Sequence, residues 1–453
     1  VRIGQRVELG ESLAPGVLAS AAGEIVAIAP HPLIHPSGRE VNCVRIATDS
    51  PGVATRTFDD TLVPTLPALR SPSLERLVAA GVTGLGGAGF ATADKLLEAR
   101  ALRVHTLLVN GAECEPGIAC DEALMEVAAE EIVAGALELA GLVGCRRTLV
   151  AIESDKRTAG AAMAAVIDRR AWAGATIEHV EVAPLYPSGA ERLLVALACG
   201  VRVPGNERPT AHGVLCINVA TARAAHRARL GEPQLTRVVT VGGTRSASPC
   251  NVRVAFGTPV AHVLATSAQG PRAADTRVRA GGPLSGFDLA STAVPITATT
   301  NRIALEPPRQ NPSPAPCIRC AACSDVCPVA LLPQELLRHA RAEDDDALAR
   351  GGLDACIECG CCDIVCPSAI PLTATFRHAR AALADTRTRA RDAALAESRY
   401  RRREERLTRR ASERERSHAR VLAEAATGAH EATDTDTDPV AAALARARRR
   451  RGT

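Results

Sequence analysis

No stretch of the sequence approaches the length of uninterrupted apolar residues, about 18, that a membrane-spanning helix requires, so none is expected. Large net charge is also missing. At +4 the chain gives no electrostatic case for a nucleic-acid partner. No secretory leader is read, so sixteen cysteines fit a reducing compartment and metal ligation rather than a disulfide framework. Lysine occurs only at Lys95 and Lys156, although arginine is abundant. The first residue, Val1, enters directly on a patterned segment, and the natural chain is expected to begin further upstream. The 453 residues are enough for roughly three domains, and 46% hydrophobic content is enough for sizeable cores.

Cysteine is abundant, and half of it falls into two identical combs. Cys317, Cys320, Cys323 and Cys327 are followed by Pro328; Cys356, Cys359, Cys362 and Cys366 are followed by Pro367. Each reads C-x2-C-x2-C-x3-C-P, the run of bacterial two-cluster ferredoxins, in which three thiolates hold one 4Fe–4S cubane and the fourth reaches the other. Adding 39 to each position of the first comb gives the second, and Arg338-His339-Ala340-Arg341 repeats as Arg377-His378-Ala379-Arg380. The repeat argues for a pseudo-twofold module. The expected ligand sets are crossed. Cys317, Cys320, Cys323 and Cys366 hold cluster 1, and Cys356, Cys359, Cys362 and Cys327 hold cluster 2. Cys361 is a spare, since its repeat mate is Ala322. Zinc ribbons and structural disulfides are the alternatives, but zinc sites pair C-x2-C units and rarely need two such combs ending in proline.

The rest of the chain changes pattern several times. Residues 1–66 carry short β-branched runs broken by Gly and Pro, as in a small β sandwich. Their wording resembles the biotinyl/lipoyl-like module, but the turn Ala19-Ser20-Ala21-Ala22-Gly23 has no lysine, so a structural role is expected. Residues 71–230 alternate between helix and strand. Helices are expected at Leu74 to Ala80, Thr92 to Arg100, Asp121 to Leu139 and Gly189 to Ala198. Strands are expected at Thr106 to Val109, Thr148 to Ile152, Ile177 to Val182 and Val214 to Ile217. This predicts a Rossmann-like α/β layer with a mostly parallel sheet. Residues 233–300 return to β, with strands at Val238 to Val241 and Val252 to Phe256, then a short helix with Pro259 in its first turn. A proline-rich linker from Asn311 leads into the cluster module, 310–385, which is expected to be helical. Residues 386–453 are an Arg-rich tail, read as a charged helix or as disordered.

Gly84-Leu85-Gly86-Gly87-Ala88-Gly89-Phe90 satisfies G-x-G-x-x-G, but a helix precedes it where the dinucleotide fingerprint needs a strand. What remains is backbone that can approach a phosphate, a helix N-terminus at Thr92, and Lys95 one turn in. After the strand come Asn110, Glu113 and Glu115, at a strand end where open α/β sheets bind ligands. The carboxylates are expected to accept hydrogen bonds from a ribose or a nicotinamide amide.

The glycine loop with Phe90 and Lys95, followed by Ala112-Glu113-Cys114-Glu115-Pro116-Gly117, resembles the flavin-bearing NADH-binding subunit of respiratory complex I. Tyr186-Pro187-Ser188-Gly189-Ala190-Glu191 and Asn218-Val219-Ala220-Thr221 resemble that family's flavin-contacting segments, and 235–300 resembles its β-grasp module. With a lipoyl-like front and a twin cluster module, the whole order is similar to the C-subunit family of Rnf electron-transport complexes. Gly281-Gly282-Pro283-Leu284-Ser285-Gly286-Phe287 is similar to a loop of that family. Ala91 departs from the proline usual after the loop's Phe, and the tail is Arg-rich. The resemblance implies FMN and NAD(H) at Gly84, Gly86, Gly87, Gly89, Phe90, Lys95, Asn110, Glu113, Gly189, Glu191 and Asn218. Glu113 and Glu115 are the expected catalytic carboxylates. It also implies a peripheral subunit on the cytoplasmic side of the inner membrane, with the complex's other subunits and a ferredoxin-type carrier as partners. A soluble NADH-linked diaphorase subunit of a hydrogenase or formate dehydrogenase, and a cluster-only electron conduit, are the competing readings. Cys43, Cys145, Cys199, Cys216 and Cys250 are expected to be buried small hydrophobes, and His339 and His378 surface helix residues.

Overall fold

The computed structural model describes residues 1–14, 16–36, 38–49, 74–87, 89–169, 176–205, 207–267, 269, 275–308, 313–431 and 439–449. Ala88 of the glycine loop, residues 51–66 of the expected first domain, the start of the second at 71, the linker pair 311–312 and the terminal Arg450-Arg451 lie outside them. Two compact units are present, residues 1–380 and 381–453.

The first unit opens with strands β1 (Arg6–Val7), β2 (Ser12–Ala14), β3 (Val17–Leu18), β4 (Gly23–Pro32) and β5 (Glu40–Thr48). They form an antiparallel sheet in the order β1-β4-β5 and a β2–β3 hairpin, around Val7, Ala19 and Ile25. The turn without lysine is packed inward at Ala19, which is fully buried.

Next come α1 (Leu74–Ala79), α2 (Thr92–Ala101), β6 (Thr106–Gly111), α3 (Cys120–Val143), β7 (Arg147–Glu153), α4 (Arg157–Arg169), β8 (Thr176–Val182), α5 (Glu191–Cys199), β9 (Val214–Asn218) and α6 (Val219–Arg229). The strands form one wholly parallel sheet, β8-β7-β6-β9. Both faces are covered, so the strands read as continuous apolar runs. Leu107, Val109, Val150, Ile152, Leu215 and Ile217 face the helices α3, α4 and α6. The alternate residues Leu108, Leu149, Ala151, Val214 and Cys216 face α5. All eight expected elements are present with ends shifted by a few residues, while α4 and α6 are additions. α3 stops where Gly144 turns left-handed at φ 84° and returns its N–H to the Ala140 carbonyl, 2.8 Å.

The α3–α6 contact is close enough to exclude a methyl group. A Cβ at Gly135 would lie 1.9 Å from the Ala222 carbonyl oxygen. The Cβ would be fixed to one helix backbone and the oxygen belongs to the other, so neither yields cheaply. Gly135→Ala is expected to destabilise this domain by roughly 3 kcal/mol, the upper end of an overpacking penalty. Denaturant unfolding of the parent and variant measures it; an unchanged midpoint would show that the helices can separate freely.

The following sheet is mixed: β10 (Thr236–Gly242), β11 (Cys250–Ala255), β12 (Arg277–Ala280), β13 (Phe287–Asp288) and β14 (Arg302–Glu306), in the order β11-β10-β14-β12-β13, with α7 (Val260–Thr266) before β12. Pro259 is the residue that caps α7, one place before its expected position. β14 lies beyond residue 300, the expected end of the module, yet it joins the same sheet in parallel with β10.

The cysteine repeat folds as a repeat. α8 (Ala322–Asp325), α9 (Pro333–Arg341) and α10 (Asp345–Arg350) are followed by α11 (Cys361–Ile364) and α12 (Leu372–Glu431). α11 begins 39 residues after α8, and α12 begins 39 after α9. Leu336, Leu337, Leu348, Leu353, Ile370, Leu372 and Phe376 pack between the two halves. The second unit is helical throughout its described residues: α12 from Ala381, then α13 (Pro439–Arg449). No described helix is long and apolar enough to cross a membrane.

Candidate electron-transfer site

The glycine loop closes on itself. The Gly84 N–H donates to the Phe90 carbonyl at 2.7 Å, and the Leu85 N–H donates to the Thr221 hydroxyl at 2.9 Å. Gly86 lies against Asn218, where an added Cβ would approach that side chain to 3.0 Å. Gly87 and Gly89 have φ of +103° and +62°, the region where only glycine is unstrained. Space opens in front of Gly87, since a Cβ there would meet nothing within 4 Å. The loop therefore fits the approach of a phosphate-bearing group to bare backbone. Phe90 is half-exposed, with the Arg208 guanidinium 5.2 Å from its ring centre.

Lys95, expected to offer its charge to a phosphate, is instead held by protein groups. Its ammonium donates to Glu191 at 2.6 Å and to the Cys216 carbonyl at 2.7 Å. It thus ties α2 to α5 and β9. Asn218 caps α6: its Oδ1 accepts from the Ala220 N–H at 2.9 Å, and its Nδ2 donates to Asp121 at 2.6 Å. Asn110, at the end of β6, accepts from the Ala112 N–H and donates to the Gly189 carbonyl, at 3.0 and 2.9 Å. A Cβ on Gly189 would lie 2.5 Å from the Ala112 carbonyl oxygen, so this crossing also needs glycine.

The two carboxylates expected to act together point apart. Glu113 turns to the start of α3, accepting from the Asp121 and Glu122 N–H groups, both at 3.1 Å, and from the Cys120 thiol at 3.1 Å. Burial, followed by the charge of Asp121, pushes its carboxyl up to about 7, against the pull of those donors. Burial raises Asp121 too, opposed by the bond from Asn218 and the charge of Arg237. Glu115 turns to the loop 281–286, accepting from the Leu284 and Ser285 N–H groups at 2.8 and 2.7 Å and from the Ser285 hydroxyl. Gly282 makes room for it, since a Cβ there would lie 2.1 Å from the Glu115 carboxyl carbon. Glu115 is therefore a tie between the α/β domain and the mixed sheet, not a free acid.

Several neighbours, or the contacts they make, escaped sequence reasoning. Glu153, only 3% exposed at the end of β7, is raised by burial and by Asp155 and accepts from Ser188. Lys156 pairs with Glu122 at 2.8 Å. Tyr186 donates to the Cys359 carbonyl at 2.6 Å. The available signals were the scarcity of lysine, which singled out Lys156, and the Tyr186–Glu191 segment, which named Tyr186 without its partner.

Two thiol-lined cavities complete the site. One is lined by Cys317, Cys320, Cys323 and Cys366, the other by Cys327, Cys356, Cys359 and Cys362, together with Cys361. These are the crossed sets read from the combs. The backbone around them is strained in matching places. Arg319, Ala321 and Ala330 have φ of 57°, 63° and 53°; their mates Glu358, Gly360 and Ala369 have 55°, 77° and 48°. Positive φ in non-glycine residues persists where surroundings enforce it, and it turns successive N–H groups toward an anion. The Leu331 N–H already points at Cys327 Sγ, 3.3 Å away. Soft thiols in this number and arrangement fit 4Fe–4S clusters.

Comparison with known proteins agrees. The Nuo51 FMN-binding domain matches residues 77–227, and a 4Fe-4S dicluster domain matches 314–370. The C subunit of the ion-translocating oxidoreductase complex of Pseudomonas aeruginosa is 40% identical over 363 residues, 77% of this chain and 45% of that protein. Its counterpart in Erwinia tasmaniensis is 40% identical over 359 residues, 76% of this chain and 43% of that protein. The chain thus spans about half the length of the curated relatives it matches. A crystal structure of NAD+-reducing NiFe-hydrogenase in the H2-reduced state shares the fold, with TM-score 0.50 and 20% identity over 69% of this chain and 62% of that one. Over about three quarters of its length, with an FMN-binding domain and a 4Fe–4S dicluster domain, this chain is a homologue of the C subunits of ion-translocating oxidoreductase complexes.

Proposed function

We propose that the chain is the peripheral electron-input subunit of a membrane-bound complex. It would exchange electrons between NAD(H) and ferredoxin-type carriers, while partner subunits in the inner membrane couple that flow to ion translocation from its cytoplasmic side. One observation carries the reading: within one compact unit, the Tyr186–Gly189 segment is hydrogen-bonded both to Asn110 at the end of β6 and to the Cys359 carbonyl of one of the two four-thiol cavities.

A bound flavin takes up two electrons as a hydride and releases them singly, which suits it to stand between nicotinamide and one-electron clusters. The protein supplies the rest. Gly86, Gly87 and Gly89 admit a phosphate-bearing group to bare N–H donors. Lys95, held by Glu191, fixes α2 and α5 around it. Asn110 and Asn218 brace the strand ends, and Glu113 offers a carboxylate beside the pocket. The crossed cysteine sets hold the clusters.

Anaerobically purified protein is expected to carry about eight irons and one flavin per chain, and NADH should bleach both chromophores. Iron without flavin would overturn the reading in favour of a cluster-only conduit.

A further inference from the structure

The two combs are equal in sequence but unequal in surroundings. The Cys359 turn is docked on the flavin domain. The Tyr186 hydroxyl donates to the Cys359 carbonyl at 2.6 Å. Arg192, next to Glu191, donates to the Ala355 carbonyl at 2.7 Å. Gly360 sits so close to the 281–286 loop that a Cβ would come 2.6 Å from the Leu284 carbonyl oxygen. That loop is the one that holds Glu115. Arg377 pairs with Glu358 at 2.7 Å and donates to the Ser285 carbonyl at 2.6 Å, while Arg380 reaches the Cys356 carbonyl at 2.6 Å. The first two cysteines of the first comb are more open than their mates. Cys317 and Cys320 are exposed, and Ile318 is 67% exposed whereas its mate Ile357 is half-buried.

Tyr186 also begins the segment that reaches the end of β6, beside the residues read as the flavin site. Three residues on, Gly189 accepts from Asn110 and donates to Cys114 Sγ, at 2.9 and 3.3 Å. A single short loop therefore touches both Asn110 at the end of β6 and the carbonyl of a comb cysteine. Hydrogen bonds and burial around the sulfurs are what set a cluster's potential.

Resting on the function proposed above, we infer that the Tyr186–Gly189 loop is the bridge between the two cofactors. The cluster of Cys327, Cys356, Cys359 and Cys362 is then the first acceptor, and that of Cys317, Cys320, Cys323 and Cys366 is the outward one. Each transfer removes one electron from the flavin side and adds one to the inner cluster. A second transfer would move that electron to the outer cluster, so a hydride's two electrons would leave in two single steps while its proton passes to solvent. Tyr186 acts as a positioning residue, holding the Cys359 turn against the segment that contacts the end of β6.

The test uses the full chain, anaerobically, with electron paramagnetic resonance of both clusters after rapid freezing. In the parent, NADH reduces both; if it reduces neither, the proposed function falls and this order with it. In Cys356→Ala, iron should drop to about four or fewer per chain. The outer cluster should remain reducible by dithionite but lose its reduction by NADH. In Tyr186→Phe, with flavin and iron retained, NADH-driven cluster reduction should slow roughly tenfold, the lower range for loss of an outer-shell partner. A redox titration of the same variant should move one midpoint potential and leave the other. Normal NADH reduction of the outer cluster in Cys356→Ala overturns the order while leaving the function standing. An unaltered rate and unaltered potentials in Tyr186→Phe overturn the bridge.

Discussion

Cys327→Ala is expected to destroy the cluster of the second comb, although the residue belongs to the first. Iron should fall by about four per chain, and the surviving signal should be the outer one. The reason is geometric. Cys327 lines the cavity of Cys356, Cys359 and Cys362, while Cys366 lines that of Cys317, Cys320 and Cys323. Thus Cys327→Ala and Cys359→Ala should leave the same spectrum, and Cys366→Ala should share its spectrum with Cys320→Ala. An uncrossed arrangement pairs the variants the other way. Cys361 lies in the second cavity but has Ala322 as its mate, so Cys361→Ala should retain about eight irons. Loss of a cluster on that change would exchange the assignments of Cys361 and Cys362.

The combs were legible because cluster ligation ties spacing to chemistry locally. Three thiolates within seven residues can meet one cubane only if the chain wraps it, and the enforced positive φ values at Arg319, Ala321, Glu358 and Gly360 are that wrapping. The 39-residue offset carried the rest, since α8 and α11 occupy the same place in each copy. The docking of one copy alone was invisible, because it depends on Tyr186 and the 281–286 loop, each more than 70 residues away in sequence.

The parallel sheet was also legible, since doubly buried strands read as unbroken apolar runs. α6 was not. After Val219 and Thr221 in the first turn, its buried side is Ala222, Ala225 and Ala228, and in an Ala- and Arg-rich chain small residues at helical spacing make no visible stripe. Gly135 and Ala222 explain the choice: the helices meet backbone to backbone, so larger apolar residues would not fit. Lys95 and Glu115 were singled out by scarcity and by motif. A motif names a residue but not its partner, and both are held by protein groups, Glu191 and the Leu284-Ser285 amides.

Glu113 carries the second large expectation. A carboxyl raised to about 7 is half ionised near neutrality. If it accepts a hydrogen bond from the nucleotide, only its ionised form serves, so kcat/KM for NADH-driven flavin reduction should rise with pH through about 7 and then level. Glu113→Gln should flatten that limb and lower the plateau about 10- to 150-fold, the equivalent of a charged hydrogen bond of about 1.5–3 kcal/mol. Iron and flavin contents should be unchanged. Stability should run the opposite way. The folded pKa lies above the ordinary 4.5, so between about 4.5 and 7 the folded state binds the proton that the unfolded state has lost. Stability from this group is therefore complete below 4.5 and declines as pH rises to 7. Glu113→Gln, permanently neutral, should remove that decline. The neighbours set the size of both effects. Burial and Asp121 favour the proton, while the Cys120 thiol and the Asp121 and Glu122 amides oppose it. Arg237 acts on the site by lowering Asp121, and Lys156 stands within its charge range. A carboxylate that helped the reaction only when ionised, and the fold only when protonated, would be a group placed for a ligand rather than for the helix it caps. Parallel pH profiles of parent and variant, in rate or in melting temperature, would reduce Glu113 to a helix cap.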